Sequence, residues 1–188
     1  MPARSSIEID YDSTLVLGIA GSLPIRMIEI RTYSEVHQEE ISKLILSIQQ
    51  EEFGIPITLE EQPDLNDIPN FYQSNNGNFW VALFDNKVAG TIALLDITNK
   101  QGALRKMFVS KEYRGKDFKV GQTLLDHLLN WAKEKDFNEI LLGTTEKFVA
   151  AQRFYEKNGF IELEKETLPP TFPVMAVDVK FYKYACDK

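Results

Sequence analysis

Lys106-Met107-Phe108-Val109-Ser110-Lys111-Glu112-Tyr113-Arg114-Gly115-Lys116-Asp117-Phe118-Lys119-Val120-Gly121-Gln122-Thr123-Leu124-Leu125 holds a strand end, a short loop and a helix start. The first amides of a helix have no backbone partner and point outward. They also lie at the positive end of the helix dipole. Gly115 and Gly121 let an anion come close to the backbone, and Arg114, Lys116 and Lys119 add positive charge. The segment is built as a phosphate site. A nucleotide P-loop needs Gly-x-x-x-x-Gly-Lys-Ser/Thr. Here five residues separate Gly115 from Gly121, and Gln122 stands in the lysine place. The Gly-x-Gly-x-x-Gly dinucleotide fingerprint is absent.

Working outward, Leu124, Leu125, Leu128, Leu129 and Ala132 share one face of a helix predicted over Val120–Lys135. Leu104–Val109 before it and Ile140–Leu142 after it read as strands, so the unit is a crossover between parallel strands. Phe79–Phe84 and Lys87–Leu95 form a hairpin about Asp85-Asn86. Ile28–Arg31 is a short strand, and Ser34 caps a helix whose apolar face, from Val36 to Ile48, runs on to Glu52. Thr58–Glu61 has capping-box form, and Pro63–Tyr72 is an irregular helix with its loop. Phe148–Lys157 is a helix stopped by Asn158-Gly159. Phe160–Glu164 and Val174–Tyr184 close the sheet around a Pro-rich loop. The class is mixed α/β. Met27 reads as a second beginning, with 1–26 an extension and 27–188 the working domain.

The chain has 188 residues, 44% hydrophobic and 26% charged, which suits one globular domain. A net charge of −7 repels nucleic-acid phosphates, so no nucleic-acid partner is expected. Leu15–Ile25 is too short to span a bilayer, and Glu8, Asp10 and Asp12 precede it where a signal peptide carries cations. No membrane role is expected. Cys186 is the single cysteine, which points to a reducing, cytoplasmic setting. His37 and His127 have no metal-ligand company, and no metal is expected.

Leu104–Val109, Tyr113-Arg114-Gly115-Lys116, Val120-Gly121 and Leu124-Leu125 resemble the fourth strand, pyrophosphate loop and third helix of the GNAT acetyltransferase superfamily. Ala151-Gln152-Arg153-Phe154-Tyr155-Glu156-Lys157-Asn158-Gly159-Phe160 matches a second pattern of that family, Ala-x-x-aromatic-Tyr-Glu-x-x-Gly-Phe. Two departures stand out. Lys116 takes a Gln/Arg place and Lys119 a Gly place in the loop, and Phe148 stands where many members have Asn. The resemblance implies a mostly antiparallel sheet of six to seven strands with about four helices and one splayed parallel pair. It implies acetyl-CoA as co-substrate and a small-molecule or peptide amine as acceptor. A CoA-binding sensor without catalysis is the alternative.

Carried onto this chain, the resemblance puts the pantetheine arm against Met107, Phe108 and Val109. It puts the diphosphate on Arg114, Gly115, Lys116, Lys119, Val120, Gly121, Gln122 and Thr123. Tyr155 becomes the acid that protonates the departing thiolate. Glu146 is the first candidate for the base that takes the amine proton; Asp96, Glu51 and Glu52 are others, and a water relay needs none of them. Phe53, Phe71 and Tyr72 are candidates for the acceptor pocket, and Trp80 reads as core. A homodimer through Val174–Tyr184 or residues 1–26 is compatible with the sequence.

Overall fold

The computed structural model describes residues 27–186, so the expectations for 1–26 lie outside the described residues. Seven strands form one sheet in the order β1-β2-β3-β4-β5-β7-β6. They are β1 Glu29–Thr32, β2 Asn78–Phe84, β3 Lys87–Asp96, β4 Gln101–Val109, β5 Glu139–Thr144, β6 Ile161–Leu163 and β7 Lys180–Ala185. Only β4 and β5 run parallel; every other neighbouring pair is antiparallel. Five α-helices accompany them: α1 Gln38–Ser47, α2 Pro63–Asn66, α3 Ile68–Tyr72, α4 Val120–Glu134 and α5 Val149–Lys157. This is the mixed, mostly antiparallel sheet with one parallel pair that the sequence leads one to expect.

The sheet buries both faces. On one, Trp80, Ile92, Leu94 and Leu104 meet Leu124, Leu125 and Leu128 of α4 and Tyr155 of α5. On the other, Phe79, Val81 and Ala93 meet Ile41, Ile45, Leu65, Ile68 and Tyr72 of α1–α3. Leu124, Leu125 and Leu128 are fully buried, and each contributes roughly 1.5–3 kcal/mol of apolar burial. Asp85 and Asn86 both take positive φ (50° and 61°), which gives the β2–β3 hairpin its two-residue turn.

Three expectations are corrected. The first helix does not run evenly from Ser34 to Glu52. Ser34 makes no side-chain cap, Val36 is 79% exposed in a 3-10 turn, and the last five residues, Ile48–Glu52, widen into a π-helix. Glu61 accepts the Thr58 N–H at 2.9 Å, half of a capping box, yet α2 starts only at Pro63, whose ring presets the first helical turn. Most consequentially, the last strand begins at Lys180 rather than Val174. Pro169, Pro170 and Pro173 cannot donate to a ladder, and Asp178 takes the Met175 N–H at 2.9 Å in a turn. The freed segment folds back toward the sheet centre.

Candidate active site

The parallel pair is in register at only three positions: Gln101 with Glu139, Gly102 with Ile140, and Ala103 with Leu141. Beyond them β5 stays with β7, while β4 stays with β3 and leaves β5. A bulge at Lys106–Met107 drives the divergence. Thr91 pairs with Phe108 and Ala93 with Arg105, so β4 carries an extra residue. Lys106 sits at φ 49°, and Thr91 Oγ1 donates to its carbonyl at 2.7 Å. Its ammonium is buried against Asp64 Oδ2 (3.2 Å) and Gln62 Oε1 (2.6 Å), and the Tyr72 hydroxyl donates to the same Asp64 oxygen. Desolvation lowers the Lys106 pKa, opposed by Asp64. Past the bulge, the β5-side edge of β4 has no strand partner, and the Val109 carbonyl accepts from Arg114 Nε at 2.8 Å.

The loop then delivers open amides. Lys119 donates its N–H to Gly115 O, and Thr123 to Lys119 O. The amides of Val120, Gly121 and Gln122 carry no main-chain acceptor among the described residues, as expected for the first helical turn. Gly115 has φ 101°, and a side chain there would be strained. Lys119 adopts the same left-handed class of backbone at φ 53° and ψ 22°.

Two cavities meet in the splay. The larger, about 620 Å³, runs from Met107, Phe108 and Val109 past Gly115, Lys116, Lys119, Gly121 and Gln122 to Lys157. The smaller, about 130 Å³, lies toward α1 and the loop before β7, lined by Gln49, Ile55, Ile57, Arg105, Met175 and Asp178 among others. Met107, Phe108, Phe148, Ala151 and Tyr155 line both. Tyr155 is 6% exposed, and its hydroxyl reaches only Met107 Sδ, at 3.5 Å. Burial raises its pKa far above the ordinary phenol value, so it stays protonated. Phe148 packs edge-on to Phe53 at 4.5 Å between ring centres and faces Phe108 at 6.4 Å.

A family model described as "Acetyltransferase (GNAT) family" matches residues 43–160. The chain belongs to that family. An acetyltransferase of the GNAT family from Staphylococcus aureus Mu50 is 42% identical in its crystal structure, with a TM-score of 0.82 over 85% of this chain and 99% of that one. The probable N-acetyltransferase camello of Xenopus tropicalis is 31% identical over 64% of this chain. The chain spans 56% of that relative's length, about half. The PaiA N-acetyltransferase of Thermoplasma acidophilum, solved with coenzyme A, has a TM-score of 0.65 at 22% identity over 84% of this chain and 98% of that one, a likeness of fold.

This GNAT scaffold gathers most of the residues singled out from the sequence and leaves some aside. Met107, Phe108, Val109, Arg114, Gly115, Lys116, Lys119, Gly121, Gln122 and Tyr155 line the larger cavity. Arg114 is already paired with both carboxylate oxygens of Glu52, which holds the Glu52 pKa down. Val120 is buried in the core, and the Thr123 amide and hydroxyl both go to Lys119 O. Glu146 is exposed and lines neither cavity. Asp96 ties the turn at the other end of β3, accepting from Asn76 and Thr98, and Glu51 accepts from Ser47. Phe53 lines the larger cavity and not the smaller one; Phe71 is 43% exposed and Tyr72 is core. His127 is half-buried against Trp80 rather than free on the surface. Lys157, Arg105 and Asp178 line the cavities without having been singled out from the sequence. Only the Lys after Tyr155-Glu156 was within reach of the quoted pattern. Among the described residues no group of His, Cys, Asp and Glu is placed to hold a metal. None of the described helices is long and apolar enough to cross a membrane.

Proposed function

We propose that the chain transfers an acetyl group from acetyl-CoA to a primary amine of a small molecule or peptide, with residues 27–188 as the catalytic unit in a cytoplasmic setting. One observation carries this: a cavity that begins on open helix amides ends at a buried tyrosine shared with a second cavity. The first cavity suits a long, thin, diphosphate-bearing thiol ester. Val120, Gly121 and Gln122 amides, with Lys116, Lys119 and Lys157, would hold its diphosphate. The open edge of β4 would take its amide-bearing arm. The bound co-substrate supplies an activated acyl carbon.

The chain does the rest by placement. The acceptor nitrogen enters from the second cavity and attacks across the Met107–Tyr155 junction, an effectively unimolecular encounter. Tyr155 hands its proton to the departing sulfur. A thiol's ordinary pKa near 8.5 lies below that of the buried phenol, which opposes the transfer; the same burial destabilises the departing thiolate, raises its basicity and narrows the gap. Water then restores the phenol. Glu146 is exposed and lines neither cavity, so it is out of reach of a direct proton transfer from the amine. Calorimetry with CoA and a thiol-release assay over a panel of amines test the reading. Tyr155→Phe should keep CoA affinity within a few fold and lower kcat about 10²-fold. CoA binding without thiol release on any amine would make the chain a CoA sensor; absence of CoA binding would end both readings.

A further inference from the structure

The smaller cavity holds charge of both signs that the fold does not consume. Arg105 of β4 is half-buried, and its Nη1 donates to the Pro173 carbonyl at 3.1 Å. The guanidinium makes no other hydrogen bond or ion pair among the described residues. Asp178 is half-buried against β5. A Cβ on Gly143 would lie 2.5 Å from its Oδ2, so only glycine lets the carboxylate sit there. Oδ2 takes the Met175 N–H at 2.9 Å, and Oδ1 has no hydrogen-bond partner among the described residues. Lys106 also lines the cavity, but its ammonium is already engaged by Asp64 and Gln62. Much of the remaining wall is apolar, with Ile55, Ile57 and Met175. About 130 Å³ accommodates little more than one amino-acid-sized molecule.

We propose that the acceptor is a small α-amino acid, its carboxylate on Arg105 and its amine on Asp178, and that Asp178 takes the first amine proton. The inference rests on the function proposed above and names its acceptor class. The N–H groups of Arg105 not given to Pro173 form a fork that matches a carboxylate bidentately. A carboxylate oxygen on the wall of the smaller cavity meets the ammonium where it must become a nucleophile. Asp178 accepts one proton from the ammonium and passes it to solvent. The freed lone pair forms the C–N bond to the acyl carbon, and the C–S bond breaks with its electron pair on sulfur. Tyr155 protonates that sulfur, while the second nitrogen proton leaves to water, which reprotonates the phenol. The charged groups facing Asp178 are Arg105 from β4, Lys165 from the 3-10 turn after β6, and Lys106 on the bulge. Burial raises the Asp178 pKa, opposed by Met175 N–H, Arg105 and Lys165.

The test compares amino acids with their carboxamides and decarboxylated amines. CoA-loaded protein should give calorimetric heat with amino acids and none with the other two. Thiol release should favour amino acids at least 100-fold in kcat/KM. Arg105→Gln should raise the amino-acid KM about 10–100-fold with kcat within a few fold, and Arg105→Lys should recover part of it. Asp178→Asn should lower kcat about 10²-fold and remove the acid limb of the kcat/KM profile, along which activity rises as the carboxylate ionises. Equal turnover of amines lacking a carboxylate, or an unchanged KM in Arg105→Gln, overturns the inference and leaves acetyl transfer standing. No thiol release from any amine overturns the underlying reading instead.

Discussion

Lys119 holds a left-handed backbone, φ 53° and ψ 22°, where a residue with a Cβ is strained by about 1 kcal/mol. That is why a glycine fits this place, and why a lysine here trades stability for a cation at the mouth of the larger cavity. Lys119→Gly is expected to raise stability by about 1 kcal/mol in calorimetric melting, while weakening CoA a few fold in titration. Sequence reading singled out Lys119, Gly115, Gly121 and Tyr155 from their neighbours in the chain, and the fold brings all four to the wall of one cavity. It did not single out Arg105 and Asp178, which come together only as lining of a cavity between β4 and a loop far along the chain. It ranked Glu146 by proximity to β5, and the fold turns that side chain to solvent.

The decisive element is β4, and what matters in it is its irregularity. The extra residue at Lys106 needs the Thr91 hydroxyl on its carbonyl and a buried counter-charge from Asp64. Removing one member of a buried pair leaves the other uncompensated. Asp64→Ala should therefore lose about 3–5 kcal/mol in urea unfolding, and an added Lys106→Met should restore a large part. Strand, hairpin and helix were readable from period and turn residues. The bulge and the π turn at Ile48–Glu52 were not, since side chains distant in sequence stabilise them. Element packing also sets a pH response. Trp80 covers His127 of α4, with ring centres 5.3 Å apart. Burial lowers the imidazole pKa, opposed by Glu134. The unfolded chain then binds the proton more readily, so this contribution is lost as pH falls through about 6.5. The melting temperature should drop between pH 7.5 and 5.5, and His127→Gln should flatten that slope.

At the scale of the molecule, the splay leaves the two halves of the sheet joined by few backbone pairs. β4 and β5 share three pairs, and the cavity between them is bridged by side-chain links such as Arg114–Glu52 and Lys147 Nζ to the Phe53 carbonyl at 3.2 Å. A ligand there binds only the folded chain. CoA at 100 times its dissociation constant should add about 2.7 kcal/mol. For a chain of this length that is roughly 5–10 °C in melting temperature. The shift should shrink in high salt, because Lys116, Lys119 and Lys157 line the cavity in a chain of net charge −7.

By itself the sequence determined the α/β order, the hairpin, the amphipathic α4 and the glycine- and lysine-bearing loop before it. Each is set by residues a few positions apart, through backbone sterics and the period of burial. Only the tertiary structure decided where β4 leaves β5, that Arg114 is spent on Glu52, and that Arg105 and Asp178 share one cavity. Those are outcomes of packing between distant segments, and charge and cavity are properties of the space they enclose.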